Sequence, residues 1–425
     1  MVKFNGNYKE YELGNGLVVA LKKEPTQTVM GKLRVNFGPV HEREDERGLA
    51  HFLEHFILSA GSERYSLKEF EEIRSGFGSI VENTTIGRTN YGFCILKEDI
   101  KKLLEFISSS VFNPAFNEEI IEGERRRILD EIARKKSRPS FLYDLQLNNE
   151  IYRGHPKGII PIGYEDVVVN TSVDKLRQFH KRGYHPNNMD LILVGNLPDN
   201  INGLIEKNFG NQKSGENTRI KFPPLNNLEK KVVLHNPSPE RENREDKNQS
   251  IAHITLAYVV APATHPEMFA LNIMRYILGG DENSRLYKRL GLGEGLYSVS
   301  ATYNGEYNAG EFFISADIPA LRIDRMIDII FEEINGFKTK KISNKEVERA
   351  KKRMRYALAI NSDSAQGHLN IIESKLDESL TPDDIIKGHQ LVTPKKVMDV
   401  ANKYFSGNRE NGIYLLDIED PLKKD

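Results

Sequence analysis

Two histidines and a glutamate in the segment Gly48–Gly61 have a spacing that can bind and use a metal ion. A helix through this segment places His51 and His55 one turn apart on the same face, where their imidazoles can bind one ion. Glu54 lies next to His55 and leans over the open side of that ion. A bound water sits on this side, so Glu54 can act as its general base.

A third ligand is available in the charged helical segment Phe116–Lys136. Glu124 and Glu131 are close to two turns apart there and so share one helix face. Two histidines and Glu131 leave a tetrahedral zinc with its fourth position open to water, as in a catalytic site. Glu124 then supports the site from outside the ligand set or substitutes as a ligand. The alternative is a solvated helix whose glutamates pair with neighbouring arginines and Lys135.

An inverted His-x-x-Glu-His motif followed by two glutamates resembles the pitrilysin family of zinc peptidases, in particular its short processing-peptidase-like branch. The resemblance covers nearly the whole chain. It implies one Zn²⁺ per chain on His51, His55 and Glu131, with Glu54 as the base and Glu124 as an outer carboxylate. Cobalt and manganese bind similar ligands and are the alternative metals.

By the same resemblance, the second half of the chain supplies two further candidates. In the family an arginine and a tyrosine assist the zinc; Tyr297 matches the tyrosine, and Arg289 is the best candidate for the arginine. Arg289 stands eight residues before Tyr297, where the family has seven. Both can donate hydrogen bonds to the oxyanion of peptide hydrolysis, at about 3 kcal/mol per donor. The alternatives are that Tyr297 packs at a strand start and that Arg289 is a surface residue.

Val81 and Glu82, on the strand after the metal helices, are the candidate substrate-binding residues. The family often has an Asn-Ala pair here that holds the substrate backbone, and this chain departs from it. An edge strand can still pair with an extended peptide through its main chain. We therefore expect substrate contact at Val81 and Glu82, with an altered preference or low activity.

Strands early in the sequence and helices massed later predict an α+β fold. Tyr11–Lys22 predicts two short strands around a Gly-Asn-Gly turn, and Met189–Gly195 predicts an apolar strand. After a polar stretch the chain repeats itself, since Ile251–Val260 is a strand like Met30–Phe37. We expect two homologous halves, each a mainly antiparallel sheet covered by helices. The predicted limits are 1–212 for the zinc-bearing peptidase half, 213–248 for a polar linker and 249–425 for a metal-free half.

The repeat provides an internal comparison for the metal site. The second half has no ligand residues at the equivalent positions, which are occupied by Leu271, Met274, Arg275, Ala350 and Ala357. If the polar residues of the first half only formed the solvent-exposed face of a helix, we would expect polar residues at the equivalent positions of the second half. The comparison favours a ligand set over a solvated helix.

Composition argues against several partners. A net charge of −1 and a pI near 6.9 give no global field for nucleic acid or an anionic membrane, and we expect neither as a partner. The first residues lack the apolar core of a signal peptide, and no run reaches the length of a membrane span. With a single cysteine, Cys94, this predicts a cytoplasmic protein, or the mature form of a processed one.

The combined prediction is a zinc-dependent endopeptidase acting on peptides or extended segments. The family resemblance implies a chamber of four repeats, so a chain of 425 residues is expected to form a homodimer, or a heterodimer with a related subunit. The alternatives are a scaffold subunit of a processing-peptidase-like complex and a peptide-binding module that keeps zinc but turns over little.

Overall fold

A computed structural model describes residues 6–225, 231–235, 251–294, 298–306, 308–319, 322–339, 342–405 and 413–417. They form two compact units, each discontinuous in sequence. Unit 1 contains Met1–Lys135, Ile159–Ile220 and Ile360–Leu376, and unit 2 contains Lys136–Gly158, Lys221–Ala359 and Asp377–Asp425. The predicted limits of the two homologous halves stay a prediction, and the linker predicted at 213–248 falls partly outside the described residues.

Unit 1 is built on a mixed sheet of six strands: β1 (Tyr8–Glu12), β2 (Val18–Lys23), β3 (Thr28–Val35), β4 (Ser79–Thr85), β5 (Arg88–Leu96) and β6 (Met189–Gly195). The strand order is β1-β2-β6-β3-β5-β4, so β4 is an edge strand. Neighbouring strands are antiparallel except β2 and β6, which are parallel. The predicted hairpin and the predicted apolar strand are both confirmed. Every residue of β6 is buried, so both faces of the sheet need a covering layer.

The helices that come from the first half and belong to unit 1 are α1 (Leu49–Ile57), α2 (Leu67–Ser75), α3 (Ile100–Phe112), α4 (Glu118–Lys136), α6 (Glu165–Asn170), α7 (Val173–Gly183) and α8 (Ile201–Phe209). α4 ends at the boundary between the units. Ser66 caps α2 and Ser172 caps α7, because each serine side chain accepts a hydrogen bond from the backbone N–H three residues later. All of α1 except His55 is buried.

One further helix of unit 1, α12 (Ala365–Glu378), comes from the late part of the sequence, and its residues up to Leu376 belong to this unit. It buries His368, Leu369, Ile371 and Ile372. The carboxylate of Glu373 accepts two hydrogen bonds of 2.8 Å from Lys32 of β3. These contacts attach α12 to the sheet.

Unit 2 contains β7 (Lys231–His235), β8 (Ile251–Val260), β9 (Ser298–Gly305), β10 (Gly310–Pro319) and β11 (Ile413–Asp417). Its helices are α5 (Pro139–Ile151), α9 (Met268–Gly279), α10 (Ile323–Thr339), α11 (Asn344–Ser362), α13 (Pro382–Gln390) and α14 (Pro394–Tyr404), with α11 ending across the unit boundary. α5 comes from the first half of the sequence. A π-helical turn, Tyr287–Leu292, precedes β9.

Unit 2 repeats part of the strand pairing of unit 1, in two sheets ordered β8-β10-β9 and β11-β7. β8 and β9 flank β10 in antiparallel pairs, as β3 and β4 flank β5. β7 and β11 are parallel, as β2 and β6 are. The α+β fold with two related halves is therefore confirmed. In the part of the chain that the structure describes, no helix combines the length and the apolar character that a membrane span requires.

Candidate metal centre

Helix α1 places both histidines on one face at the edge of the core. Their ring centroids are 4.7 Å apart, with the ring planes at 78°. His51 is 8% exposed and Glu54 is 4% exposed. Ligand atoms of His51, Glu54 and His55 all lie within 4.8 Å of one another, which makes this a group able to hold a metal ion.

Helix α4 brings two carboxylates to the same imidazoles. Ile121, Ile128 and Ile132 bury one stripe of α4 in the core, and Glu124 lies in this stripe. Oε2 of Glu131 lies 3.6 Å from Nε2 of His51 and 3.6 Å from Nε2 of His55. Oε2 of Glu124 lies 3.4 Å from Nδ1 of His55, on the opposite side of that ring. The structure thus brings together all four residues that the sequence assigned to the metal and its support.

Arg125 fixes α4 relative to α1. Its guanidinium donates hydrogen bonds of 2.7 Å to the carbonyl oxygens of Val169 and Thr171 at the end of α6. It also lies over the ring of Phe52, the neighbour of His51 in α1, at 5.7 Å from the ring centroid. One side chain of α4 therefore contacts both α6 and α1, the other helix that carries candidate ligands.

The separations between these atoms fit a tetrahedral zinc site. Bonds of about 2.1 Å at a tetrahedral ion place neighbouring ligand atoms about 3.4 Å apart, close to the 3.6 Å separations between Glu131 and the two histidines. Oε2 of Glu54, beside the two imidazoles, is buried without a hydrogen-bond partner among the described residues. Buried polar atoms rarely lack partners, so this oxygen is further reason to expect an ion or an ordered water here.

The electrostatics of the cluster reflect its burial and its carboxylates. Burial and the neighbouring His55 lower the pKa of His51 to about 4. Burial opposes the protonation of His55, but Glu124 and Glu131 outweigh it and raise the pKa of His55 to about 9. The close approach of the His55 ring holds the pKa of Glu131 well below its ordinary value. Burial raises the pKa of Glu54 to about 7. A dication at this position would favour neutral imidazoles and ionised carboxylates.

The cluster opens into a cleft of about 420 Å³ that β4 lines along one side. Val81 is 61% exposed, and Glu82 pairs with Arg74 at 3.2 Å. Nζ of Lys135 lies 2.8 Å from Oε1 of Glu131. Val81 and Glu82 therefore lie beside the candidate metal ligands, and their contact with substrate stays a prediction.

Arg74 and Lys135 also line this cleft, and neither was predicted there from the sequence. Lys135 follows Glu131 by four residues on one helix, and this spacing predicts an ion pair between Lys135 and Glu131. Arg74 gave no such signal, because its partners, Glu82 and the carbonyl oxygen of Leu58, lie on other elements.

Of the two candidate oxyanion donors, Arg289 and Tyr297, the structure describes only Arg289. Arg289 lies in the π-helical turn, and its guanidinium contacts Glu332 at 2.7 Å and Glu333 at 3.0 Å on α10. Tyr297 lies outside the described residues. Leu271 and Met274, which align with His51 and Glu54 in the repeat, are fully buried in the apolar core of unit 2. The functional roles of Arg289 and Tyr297 stay predictions.

Two protein-family models match the chain. Residues 17–163 match the model described as insulinase, peptidase family M16. Residues 170–354 match the model described as peptidase M16 inactive domain, which covers the part without ligand residues. The chain belongs to the pitrilysin family, peptidase family M16.

Relatives extend the match over most of the chain. YmxG of Bacillus subtilis, named an uncharacterized zinc protease, is 24% identical over 404 residues, which are 94% of this chain and 96% of that protein. The probable mitochondrial-processing peptidase subunit beta of Schizosaccharomyces pombe is 25% identical over 411 residues, 92% of this chain and 87% of that protein. The crystal structure of a protease from Helicobacter pylori has a TM-score of 0.81 at 20% identity, covering 94% of this chain and 96% of that one.

Proposed function

We propose that this chain is a zinc-dependent endopeptidase that hydrolyses bonds in peptides or extended protein segments. One observation carries the proposal: a single oxygen of Glu131 contacts both imidazoles of the motif, at 3.6 Å each, beside the buried Glu54 and on an open cleft. Relatives that are named zinc proteases support the same activity.

His51, His55 and Glu131 would hold the zinc, and Glu124 orients His55 from behind. When bound, zinc polarises the peptide carbonyl and lowers the pKa of water. Glu54 takes one proton from the attacking water as the oxygen bonds to the carbonyl carbon. It then delivers that proton to the leaving nitrogen as the carbon–nitrogen bond breaks.

The substrate would lie as an extended strand along β4. This strand is at the sheet edge, with its outer backbone groups available for pairing. Val81 and Glu82 would contact the bound peptide from the cleft wall. Arg289 and Tyr297 would donate hydrogen bonds to the oxyanion, and Arg289 must exchange its two glutamate partners to do so.

The proposal includes a second chain. The family resemblance implies four repeats per chamber, and this chain has two. We propose a homodimer, because one chain carries both the zinc motif and Tyr297. The similarity to a processing-peptidase beta subunit supports a heterodimer with a related subunit as the alternative. The single cysteine supports a cytoplasmic location.

The test is hydrolysis of a quenched-fluorescent peptide library together with bound zinc, measured for wild type and Glu54→Gln. We expect both to bind one zinc per chain and only the wild type to cleave. Glu98→Gln is the matched control and should cleave as wild type does, since Glu98 is exposed in the turn between β5 and α3 and does not line the cleft. If the wild-type protein binds no zinc, the ligand assignment is refuted.

The second candidate is a zinc-holding subunit with little turnover. The Glu82–Arg74 ion pair favours this candidate, because Glu82 occupies the position where the family often has a small alanine. In that case wild type would bind zinc without cleaving any peptide in the library. Cleavage that appears only after a related subunit is added would instead support the heterodimer.

A further inference from the structure

Helix α1 begins without a cap of its own. Its N-cap residue is Gly48, in the left-handed region with φ of 113°, and a glycine has no side chain to accept a hydrogen bond from the first turn. The first backbone N–H groups of a helix have no partner within the helix and need an acceptor from elsewhere. In α1 this turn is buried, so water does not readily replace the cap.

Glu42, a residue outside the helix, supplies the acceptors. Its Oε2 accepts a hydrogen bond from the backbone N–H of Gly48 at 3.1 Å, and its Oε1 accepts one from Ala50 at 2.7 Å. The side chain is buried, with 5% exposed. A carboxylate on two amides at a helix N-terminus also interacts favourably with the helix dipole.

A local capping side chain does not fit at this position. A Cβ atom added to Gly48 would lie 3.1 Å from Cα of Gly163 and 3.4 Å from the carbonyl oxygen of Ile162. Serine, threonine and aspartate, the usual N-cap residues, would therefore crowd the backbone and adopt a strained φ. The remote carboxylate of Glu42 takes over the role that these residues have in other helices.

The capped turn is the turn that carries the first candidate metal ligand, because His51 directly follows Ala50. We propose that Glu42 is a positioning residue: it holds the first turn of α1 so that His51 faces Glu131 on α4. The metal part of this inference rests on the proposed function. The capping part concerns the protein without metal and can be tested separately.

Glu46 provides a matched control in the same loop. It is also buried, with 6% exposed. Its carboxylate accepts hydrogen bonds from the backbone N–H of Arg43 at 3.0 Å and from the guanidinium of Arg182 at 2.7 and 2.9 Å. These partners lie outside α1. Removing either glutamate thus deletes a buried carboxylate, but the hydrogen bonds described for Glu46 do not involve α1, whereas those of Glu42 do.

The experiment compares Glu42→Ala, Glu42→Gln and Glu46→Ala with wild type at pH 8, above the pKa of Glu42, which burial raises to about 7. Hydrogen exchange of α1 is measured by mass spectrometry on metal-free protein. Zinc affinity is measured by competition with a chromophoric chelator. We expect Glu42→Ala to speed exchange in α1 about fivefold and to weaken zinc binding on the order of 10- to 100-fold.

Glu42→Gln keeps one acceptor oxygen and should restore part of both effects, and Glu46→Ala should leave both near the wild-type values. Equal weakening of zinc binding by Glu42→Ala and Glu46→Ala would overturn the proposal, as would unchanged exchange in α1 of Glu42→Ala. If wild type binds no zinc, the metal assignment fails, while the exchange data still decide whether Glu42 caps α1.

Discussion

The close backbone contact between Gly163 and Gly48 predicts that a side chain at position 163 displaces the start of the metal helix α1. Gly163 has φ of 78° and Gly48 has φ of 113°, both in the left-handed region. A Cβ atom added to Gly163 would lie 2.2 Å from Cα of Gly48 and 2.6 Å from the carbonyl oxygen of Arg47. These are backbone atoms, so no side-chain rotation can relieve the clash. Gly163→Ala must shift the start of α1 or the loop that carries Pro161 and Ile162.

The cost has two parts. A non-glycine residue in the left-handed region loses about 1–2 kcal/mol. Forcing an extra methyl group into a packed site costs about 1–3 kcal/mol. We therefore expect Gly163→Ala to lower the free energy of unfolding by about 2–5 kcal/mol, a large part of the roughly 5–15 kcal/mol that stabilises a typical protein.

Urea unfolding followed by circular dichroism measures this cost, with Gly123→Ala as the control. Gly123 lies within α4 and has no heavy atom within 4 Å of an added Cβ. Alanine there should stabilise the protein by about 0.5–1 kcal/mol, because glycine is unfavourable inside a helix. A cost below about 1 kcal/mol for Gly163→Ala would refute the close backbone approach. Zinc affinity should fall in Gly163→Ala and stay unchanged in Gly123→Ala.

Two further predictions concern buried charges. Burial lowers the pKa of His180 from 6.5 to about 4. Between these values the unfolded state binds the proton and the folded state does not, so stability falls as pH falls, by about 3 kcal/mol over the window. His180→Gln should lose less stability than wild type between pH 7 and pH 4.5 in urea unfolding, and parallel curves would contradict this. The second prediction concerns Lys157 and Glu311, whose buried side chains are 7% and 2% exposed and form an ion pair. Lys157→Met alone should cost about 3–5 kcal/mol, and the double variant Lys157→Met/Glu311→Leu much less. Glu311→Leu alone should cost less than Lys157→Met, because Glu306 lies 3.3 Å from Nζ of Lys157 and stays as its partner; additive costs in a double-mutant cycle would contradict the pairing.

The sequence is informative where a feature depends on local spacing. The helix through His51 and His55, the hairpin in Tyr11–Lys22 and the strand Met189–Gly195 all follow from residues within one element, and the structure confirms them. The proximity of Glu131 to both histidines could be inferred only because its helix face and the family resemblance agreed.

Features that depend on distant partners were not predictable. Glu42 caps a helix that begins seven residues later, and no spacing rule marks a remote cap. The partners of Arg289 are Glu332 and Glu333 on α10, more than forty residues further along the chain. Residues 136–158 belong to unit 2 and residues 360–376 to unit 1, so each segment packs with the unit built mainly from the other half of the sequence. This could not be predicted, because the amphipathic pattern of a helix does not specify which core the helix covers.

This exchange of segments affects how the gene can be divided. A chain cut in the polar stretch after residue 220 would give a first fragment without α12, leaving Lys32 without the carboxylate of Glu373. The second fragment would lack α5. We expect neither fragment to fold alone, while two co-expressed fragments could complement each other. Recombination that replaces one half with that of a distant relative should fail unless both exchanged helices are compatible with their new cores.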